Sequence, residues 1–282
     1  MSFSSDLKEE LSKINNLKNK QEVYAEFLGY LVTANVFIKG KTIKFSTENE
    51  YNINRFAKLL NNINIIEYKI NLSGKTFNIT FKDNEISERL ELSQIAKILA
   101  TDNLKKAYVR GNFLGAGSIN NPQNKYHLEI IFKAPEYADF SLQQMAIYGI
   151  NAKKLEKTLY IKDGEEISNF LALIGGNSAV IKFEEIRVLR EMKNNVNRIV
   201  NCETANLNKT ISASVKQIEN IKILKESGKF NSLPEDSKEI ANLRLENPDA
   251  TLEQLGSMLK NPIGKSSVSH RFKKLGTIRD GS

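Results

Sequence analysis

The chain carries a weak internal repeat, and this repeat limits the possible fold more than any other feature. Gly29 and Gly111 stand about 82 residues apart, as do the Lys-Thr pairs that begin at Lys75 and Lys157. Phe81-Lys82-Asp83 answers Ile161-Lys162-Asp163, and Glu50-Tyr51 answers Glu136-Tyr137 at an offset of about 86. Copy one, residues 22–98, reads as a helix over 22–34, an extended pair, a helix over 52–62, a second extended pair and a helix over 88–99. Copy two, residues 103–175, reads as a helix over 103–117, extended segments, a helix over 140–149, extended segments and a helix from Glu166. A duplicated chain folds its copies by the same local rules, so two similar α/β halves related by a pseudo-twofold axis are expected.

The strand segments alternate. Lys41-Thr42-Ile43-Lys44-Phe45-Ser46 and Phe77-Asn78-Ile79-Thr80-Phe81 have the period of a strand with one buried face. One sheet face should pack on helices while the other meets solvent or a ligand. Lys41 or Lys44, according to register, would stand there with Thr42 and Ser46 and suit phosphate. An ordinary solvated face fits the same pattern.

Residues 181–226 read as mostly helical and contain neither proline nor glycine. They suggest two helices with a break around Asn201 to Asn208, forming a helical linker over 186–228. Arg187, Arg190, Lys193 and Arg198 recur at helical spacing, and Lys209 follows, so this linker offers a second anionic contact. A solvated bridging helix is the competing reading. Ser227 to Pro234 reads as a hinge.

A three-helix unit follows, within 229–282. Pro234 can open its first helix, with Glu235, Asp236 and Glu239 suited to the dipole, and Asn247-Pro248 closes it. Thr251 and Gln254 form a capping box for the second helix, on which Leu252, Leu255 and Leu259 make an apolar stripe. Asn261-Pro262-Ile263-Gly264 is a turn, and Ser266 suits the cap of the third helix. On that helix Val268, Phe272 and Leu275 share one face. His270 and Lys273 centre the opposite face, flanked by Ser267, Ser269 and Lys274, with Arg271 near the boundary. From Gln254 to Arg279 there is no acidic residue, while Lys260, Lys265, Arg271, Lys273, Lys274 and Arg279 are basic. An apolar rear and a front of hydroxyl, imidazole and ammonium groups is what a helix needs to enter the major groove of double-stranded DNA. The free N–H groups near Ser266 suit a phosphate. RNA-binding and protein-docking hairpins share this pattern.

Charge supports the same division. The chain of 282 residues has a net charge of +8, and residues 186–282 hold 17 Lys and Arg against 11 Asp and Glu. The basicity is C-terminal, which suits a nucleic-acid partner for that end. One cysteine, Cys202, excludes an internal disulfide, and two distant histidines, His127 and His270, leave a structural zinc few ligands. No cofactor or metal motif is present. No segment approaches the ~20 apolar residues of a membrane span. The opening Met1 to Ile14 is a capped amphipathic helix rather than a secretion signal, so a cytoplasmic, nucleoid-associated protein with no membrane contact is expected.

Two stretches resemble a known pair of helices. Phe27-Leu28-Gly29-Tyr30-Leu31-Val32-Thr33-Ala34-Asn35 and Val109-Arg110-Gly111-Asn112-Phe113-Leu114-Gly115-Ala116-Gly117 are similar to the paired interface helices of LAGLIDADG homing endonucleases. In those nucleases the last acidic residue of each motif holds the divalent metal, and here Ala34 and Ala116 stand at those positions. The resemblance therefore implies that the nuclease site is absent and that Gly29 and Gly111 form the interface between the repeats. Over the whole chain, Met1 to Leu11, Arg110 to Ile119, Asn197 to Thr210 and Lys265 to Leu275 match the pattern of the WhiA family in order. That resemblance implies an α+β fold. A degenerate LAGLIDADG-like N-terminal domain with antiparallel saddle sheets, residues 1–185, would precede an all-α helix-turn-helix domain. It also implies a DNA-binding regulator tied to sporulation in actinomycetes and to cell division or chromosome segregation in other Gram-positive bacteria.

Three functions compete. A non-catalytic regulator would read double-stranded DNA with the C-terminal helix-turn-helix, using Thr251, Lys265, Ser266, Ser267, Ser269, His270, Arg271, Lys273 and Lys274. A scaffold would dock another regulatory protein on the N-terminal domain. A site-specific endonuclease would need the carboxylates that Ala34 and Ala116 replace.

Overall fold

The computed structural model describes residues 2–280. The described chain is α+β and divides into two compact units, Met1–Glu191 and Met192–Ser282. In the first unit α1 (Phe3–Ser12) precedes α2 (Lys20–Leu31), β1 (Val36–Lys39), β2 (Thr42–Thr47), α3 (Glu50–Asn62), β3 (Tyr68–Ser73), β4 (Thr76–Lys82), α4 (Ile86–Arg89) and α5 (Leu92–Ile98). The second copy follows as α6 (Asp102–Ala116), β5 (Gly117–Ile119), β6 (Leu128–Ile131), α7 (Pro135–Ala146), β7 (Lys153–Leu155), β8 (Thr158–Ile161) and α8 (Gly164–Ile174). The sheets run β1-β2-β4-β3 and β5-β6-β8-β7, with every pair antiparallel. Copy for copy, this is one strand order used twice.

Two helices differ from expectation. The helix read over 88–99 splits into α4 and α5, because Arg89 is held by Asp83 at 2.8 Å and by the Tyr24 hydroxyl at 2.7 Å. Glu91 then takes an extended conformation and starts α5 afresh. The helix read from 140 begins at Pro135, whose preset φ suits the first turn.

α2 and α6 pack backbone to backbone. A Cβ built on Gly29 would lie 2.2 Å from the Tyr108 carbonyl oxygen, and one on Gly111 would lie 2.1 Å from that of Glu26. Only glycine permits this approach. Most of α2 from Val23 to Leu31 is buried, as a helix at the centre of a unit must be.

A buried acid sits beside the crossing. Glu26 is fully buried and accepts from Arg55 Nε at 2.8 Å and Nη2 at 2.9 Å, and from Arg110 Nε at 3.0 Å. Asn16 Nδ2 donates to it at 3.3 Å, and Arg55 donates to the Ile14 carbonyl at 2.8 Å. Burial alone would raise the Glu26 carboxyl. The Arg110 charge and the hydrogen bonds and charge of Arg55 outweigh that penalty and hold it below the usual carboxylate range.

α9 (Asn177–Glu226) carries the chain from the first unit into the second as one helix, without the break expected around Asn201 to Asn208. Asparagine costs a helix only about 0.7 kcal/mol per residue relative to alanine, and no proline or glycine interrupts the backbone ladder. Glu10 caps its start, accepting from Ser178 N at 2.7 Å and Ala179 N at 3.0 Å.

In the second unit Gly228, at φ +75°, turns the chain into a 3-10 turn over Lys229–Ser232. α10 (Glu235–Glu246), α11 (Leu252–Met258) and α12 (Lys265–Asp280) follow. Ile221 and Leu224 of α9 share one core with Leu233, Ile240, Leu255, Leu259, Val268, Phe272 and Leu275. The segment read as a hinge is thus packed, with Leu233 buried and Phe230 against the same core.

Gly29→Ala or Gly111→Ala should destabilise the first unit by about 3 kcal/mol or more, since a methyl group would meet backbone that cannot step aside. Urea denaturation followed by tyrosine fluorescence measures the loss. Glu26→Gln should cost about 3–5 kcal/mol by leaving two buried guanidiniums without their anion. The folded carboxyl titrates below its unfolded value of about 4.3, so its contribution is complete above that pH and is lost as pH falls through the depressed value. The stability gap between the wild type and Glu26→Gln should therefore narrow on acidification below about pH 4.

Candidate nucleic-acid interface

The chemistry of the second unit follows from how α12 is seated. Val268, Phe272 and Leu275 are buried, which turns Ser267, His270, Lys273 and Lys274 outward, all exposed, with Ser269 half-buried at the margin. Thr251 caps α11 as expected: its hydroxyl accepts from Gln254 N at 3.2 Å, and Gln254 Oε1 accepts from Thr251 N at 2.8 Å. The turn between α11 and α12 folds back on Gly256, where a Cβ would lie 2.2 Å from the Ile263 carbonyl oxygen. A glycine inside a helical pattern was the available signal for this close approach.

α12 begins at Lys265, two residues too early for Ser266 to cap it. The Gly264 carbonyl accepts from Ser267 N at 3.0 Å and Val268 N at 3.2 Å, so Ser266 lies within the first turn, exposed. Arg271 is half-buried at the boundary of this face. It bridges to Asp236 of α10 at 3.1 Å, because the acid that suits the α10 dipole also faces α12.

In the sequence nothing distinguishes Arg244 from a surface arginine. It is buried, with Nε on Gln217 Oε1 at 3.0 Å and Nη1 on the Ala250 carbonyl at 2.6 Å. Its guanidinium lies over the Phe272 ring at 5.6 Å, and burial pushes its pKa down. Arg244 and Gln217 wall a cleft of about 310 Å³ into which Thr251, Lys265 and Lys209 converge. The structure thus brings a basic residue of α9 to the cap of α11 and the start of α12.

The other basic residues of α9 divide. Arg187 pairs with Glu184 at 2.8 Å and Glu191 at 3.4 Å. Arg190 donates to the Pro122 carbonyl at 2.7 Å and to that of Asn124, and stacks over Tyr126 at 4.4 Å. Both are occupied within the first unit. Lys193, Arg198 and Lys209 lie in a run, 191–209, that is exposed throughout.

In the first unit the register settles which strand residues face outward. Ile43 and Phe45 are buried, so Thr42, Lys44 and Ser46 point away from the helices, and Lys41 precedes the strand. Lys44 stands opposite Thr80, and Thr80 opposite Lys69, while Thr42 pairs with Lys39 and Lys82. The matching face of the second sheet carries Ser118, Glu129, Tyr160 and Lys153 in one row.

Ala34 follows α2, and Ala116 ends α6. They flank one junction, where Asn35 Nδ2 donates to the Gly115 carbonyl at 2.9 Å and Ala34 N to that of Ile131 at 3.0 Å. Among the described residues no three His, Cys, Asp or Glu side chains gather as a metal would require. No helix among them is long and apolar enough to cross a membrane.

Comparison with known proteins covers both units. Residues 105–193 match the model of the WhiA LAGLIDADG-like domain, and residues 196–279 that of the WhiA C-terminal HTH domain. The chain is 36% identical over 312 residues to a probable cell division protein WhiA of Clostridium tetani, covering 99% of this chain and 98% of that one. It is 37% identical over 307 residues to the Staphylococcus haemolyticus protein of the same name, covering 99% and 97%. The crystal structure of full-length WhiA from Thermatoga maritima is similar over 99% of this chain and 98% of that chain, with a TM-score of 0.61 and 28% identity. With a LAGLIDADG-like model and a helix-turn-helix model matching its two units, and relatives 36% and 37% identical over 99% of its length, the chain belongs to the WhiA family.

Proposed function

We propose that this chain is a non-catalytic, DNA-binding transcriptional regulator tied to cell division and chromosome segregation, acting at the nucleoid in the cytoplasm. The observation that carries this reading is the outward face of α12. Ser267, His270, Lys273 and Lys274 are exposed together because Val268, Phe272 and Leu275 fill the core behind them. Such a face offers hydrogen-bond donors to base edges and cations to phosphates. The helix-turn-helix family match and the relatives' names, probable cell division proteins, support the same assignment. Alanine at positions 34 and 116 argues against phosphodiester cleavage, since metal-assisted hydrolysis needs carboxylates there.

Protein docking is the second reading, and one observation favours it, on α9 rather than on the N-terminal domain. Met192, Val196 and Ile199 are more than half exposed on α9, at 62%, 57% and 52%. A partner helix would bury them. The two readings part in the cell: a scaffold keeps its role when Lys273 and Lys274 are replaced, and a regulator does not.

In gel-shift titrations with sheared genomic DNA, Lys273→Ala combined with Lys274→Ala should weaken binding of the full chain at least tenfold. Charge-assisted phosphate contacts contribute on the order of 1–3 kcal/mol each. Wild-type affinity should fall steeply as salt rises, since each neutralised phosphate releases counterions. Unchanged affinity in the double variant would sink the assignment of α12. Supercoiled plasmid incubated with the protein and Mg²⁺ or Mn²⁺ should stay intact.

A further inference from the structure

We infer that the asparagine-rich face of α9 is a second duplex-DNA contact, which lengthens the site read by α12. This rests on the DNA-binding reading above and adds a reading element to it.

The first ground is continuity. Lys209 shares its cleft with Thr251 and Lys265, so the basic face of α9 runs into the cap of α11 and the start of α12 within one compact unit. Arg198 lies eleven residues before Lys209, which is about three helical turns, or about 16 Å, along the same face. Asn194, Asn201 and Asn208 fall on that face too, at helical spacing. The structure therefore aligns two cations with three carboxamides along one side of a continuous helix.

The second ground is that this face is open to solvent. Arg187 and Arg190, which look equivalent to Arg198 in the sequence, are spent on Glu184, Glu191 and the 122–124 carbonyls. From 191 to 209 every residue is exposed. The acid within 192–209, Glu203, lies five residues beyond Arg198 and so about 140° round the helix.

The third ground is composition. Six asparagines fall between 194 and 208, on a solvated helix where alanine, lysine or glutamate would hold the helix better. Helix stability does not explain them. Asparagine carries adjacent donor and acceptor atoms that match adenine N7 and N6 in the major groove, while Arg198 and Lys209 suit the flanking phosphates. Charge and hydrogen-bonding complement thus name the occupant as a duplex rather than a protein, whose natural seat on α9 is the apolar side.

The test uses the full chain and genomic fragments enriched by the wild-type protein. Arg198→Ala with Lys209→Ala should weaken binding about tenfold and lower the slope of log affinity against log salt by about two. Asn201→Ala with Asn208→Ala should leave that slope unchanged, shorten the DNase footprint at one end and relax base preference there. Alanine favours helix, so circular dichroism and thermal unfolding should not report a loss of fold in either variant. The inference is overturned if both variants keep wild-type affinity, slope and footprint while Lys273→Ala with Lys274→Ala weakens binding. If that lysine pair is also without effect, the DNA-binding reading itself falls.

Discussion

The first unit depends on a contact between two backbones. Gly29 and Gly111 let α2 and α6 approach until each would reject even a methyl group from the other. At that distance side chains near the crossing cannot interdigitate, so polar groups must tie the copies together. Asn52 of α3 donates to the Leu114 carbonyl at 2.7 Å and accepts from the Tyr30 hydroxyl at 2.6 Å. Glu26 does the same on a larger scale, holding Arg55 from copy one and Arg110 from copy two with a single carboxylate. Buried ion pairs add little net stability, but a wrong register would strand the charges, so this cluster selects one alignment of α2 on α6.

In the second unit a buried cation plays the corresponding part. Arg244 gathers the Ala250 and Pro248 carbonyls and Gln217, and lies over Phe272. It thereby joins α9, α10, the loop before α11 and α12 at one point. Because Phe272 is held, the rotation of α12 about its axis is settled, and with it the identity of the side chains that face outward. The surface chemistry of the recognition helix is thus a consequence of core packing, not of the surface residues themselves.

Most of this architecture was legible in the sequence where local periodicity decides it. The alternation of Ile43, Phe45, Ile79 and Phe81 produced the strands, and the Thr251–Gln254 pair is the capping box it reads as. What was not legible depends on contacts made across long separations. Arg187, Arg190, Lys193 and Arg198 form one pattern in the sequence, yet carbonyls at 122 and 124 claim Arg190 and the structure leaves Arg198 exposed. Asp236 claims Arg271 across 35 residues. The asparagines of α9 read as a break because each is a poor helix former, but a weak propensity summed over a few residues does not outweigh an uninterrupted hydrogen-bond ladder.

The duplication also shows what is inherited by fold and what is not. Strand order and inward residues agree between the two sheets because both must close over a core. Outward residues carry no such obligation. On the first sheet they include Lys39, Lys44, Lys69 and Lys82 beside Thr42 and Thr80, whereas the second presents Glu129 and Lys153 in one row with Ser118 and Tyr160. Four exposed cations among hydroxyls make a surface that attracts anions, while the row on the second sheet sets one cation, Lys153, against a carboxylate hydrogen-bonded to Ser118 at 3.3 Å and beside His127. Backbone pairing constrains the core face and leaves the open face to selection by a partner. The two halves of this unit, alike in topology, are therefore not interchangeable in what they can bind.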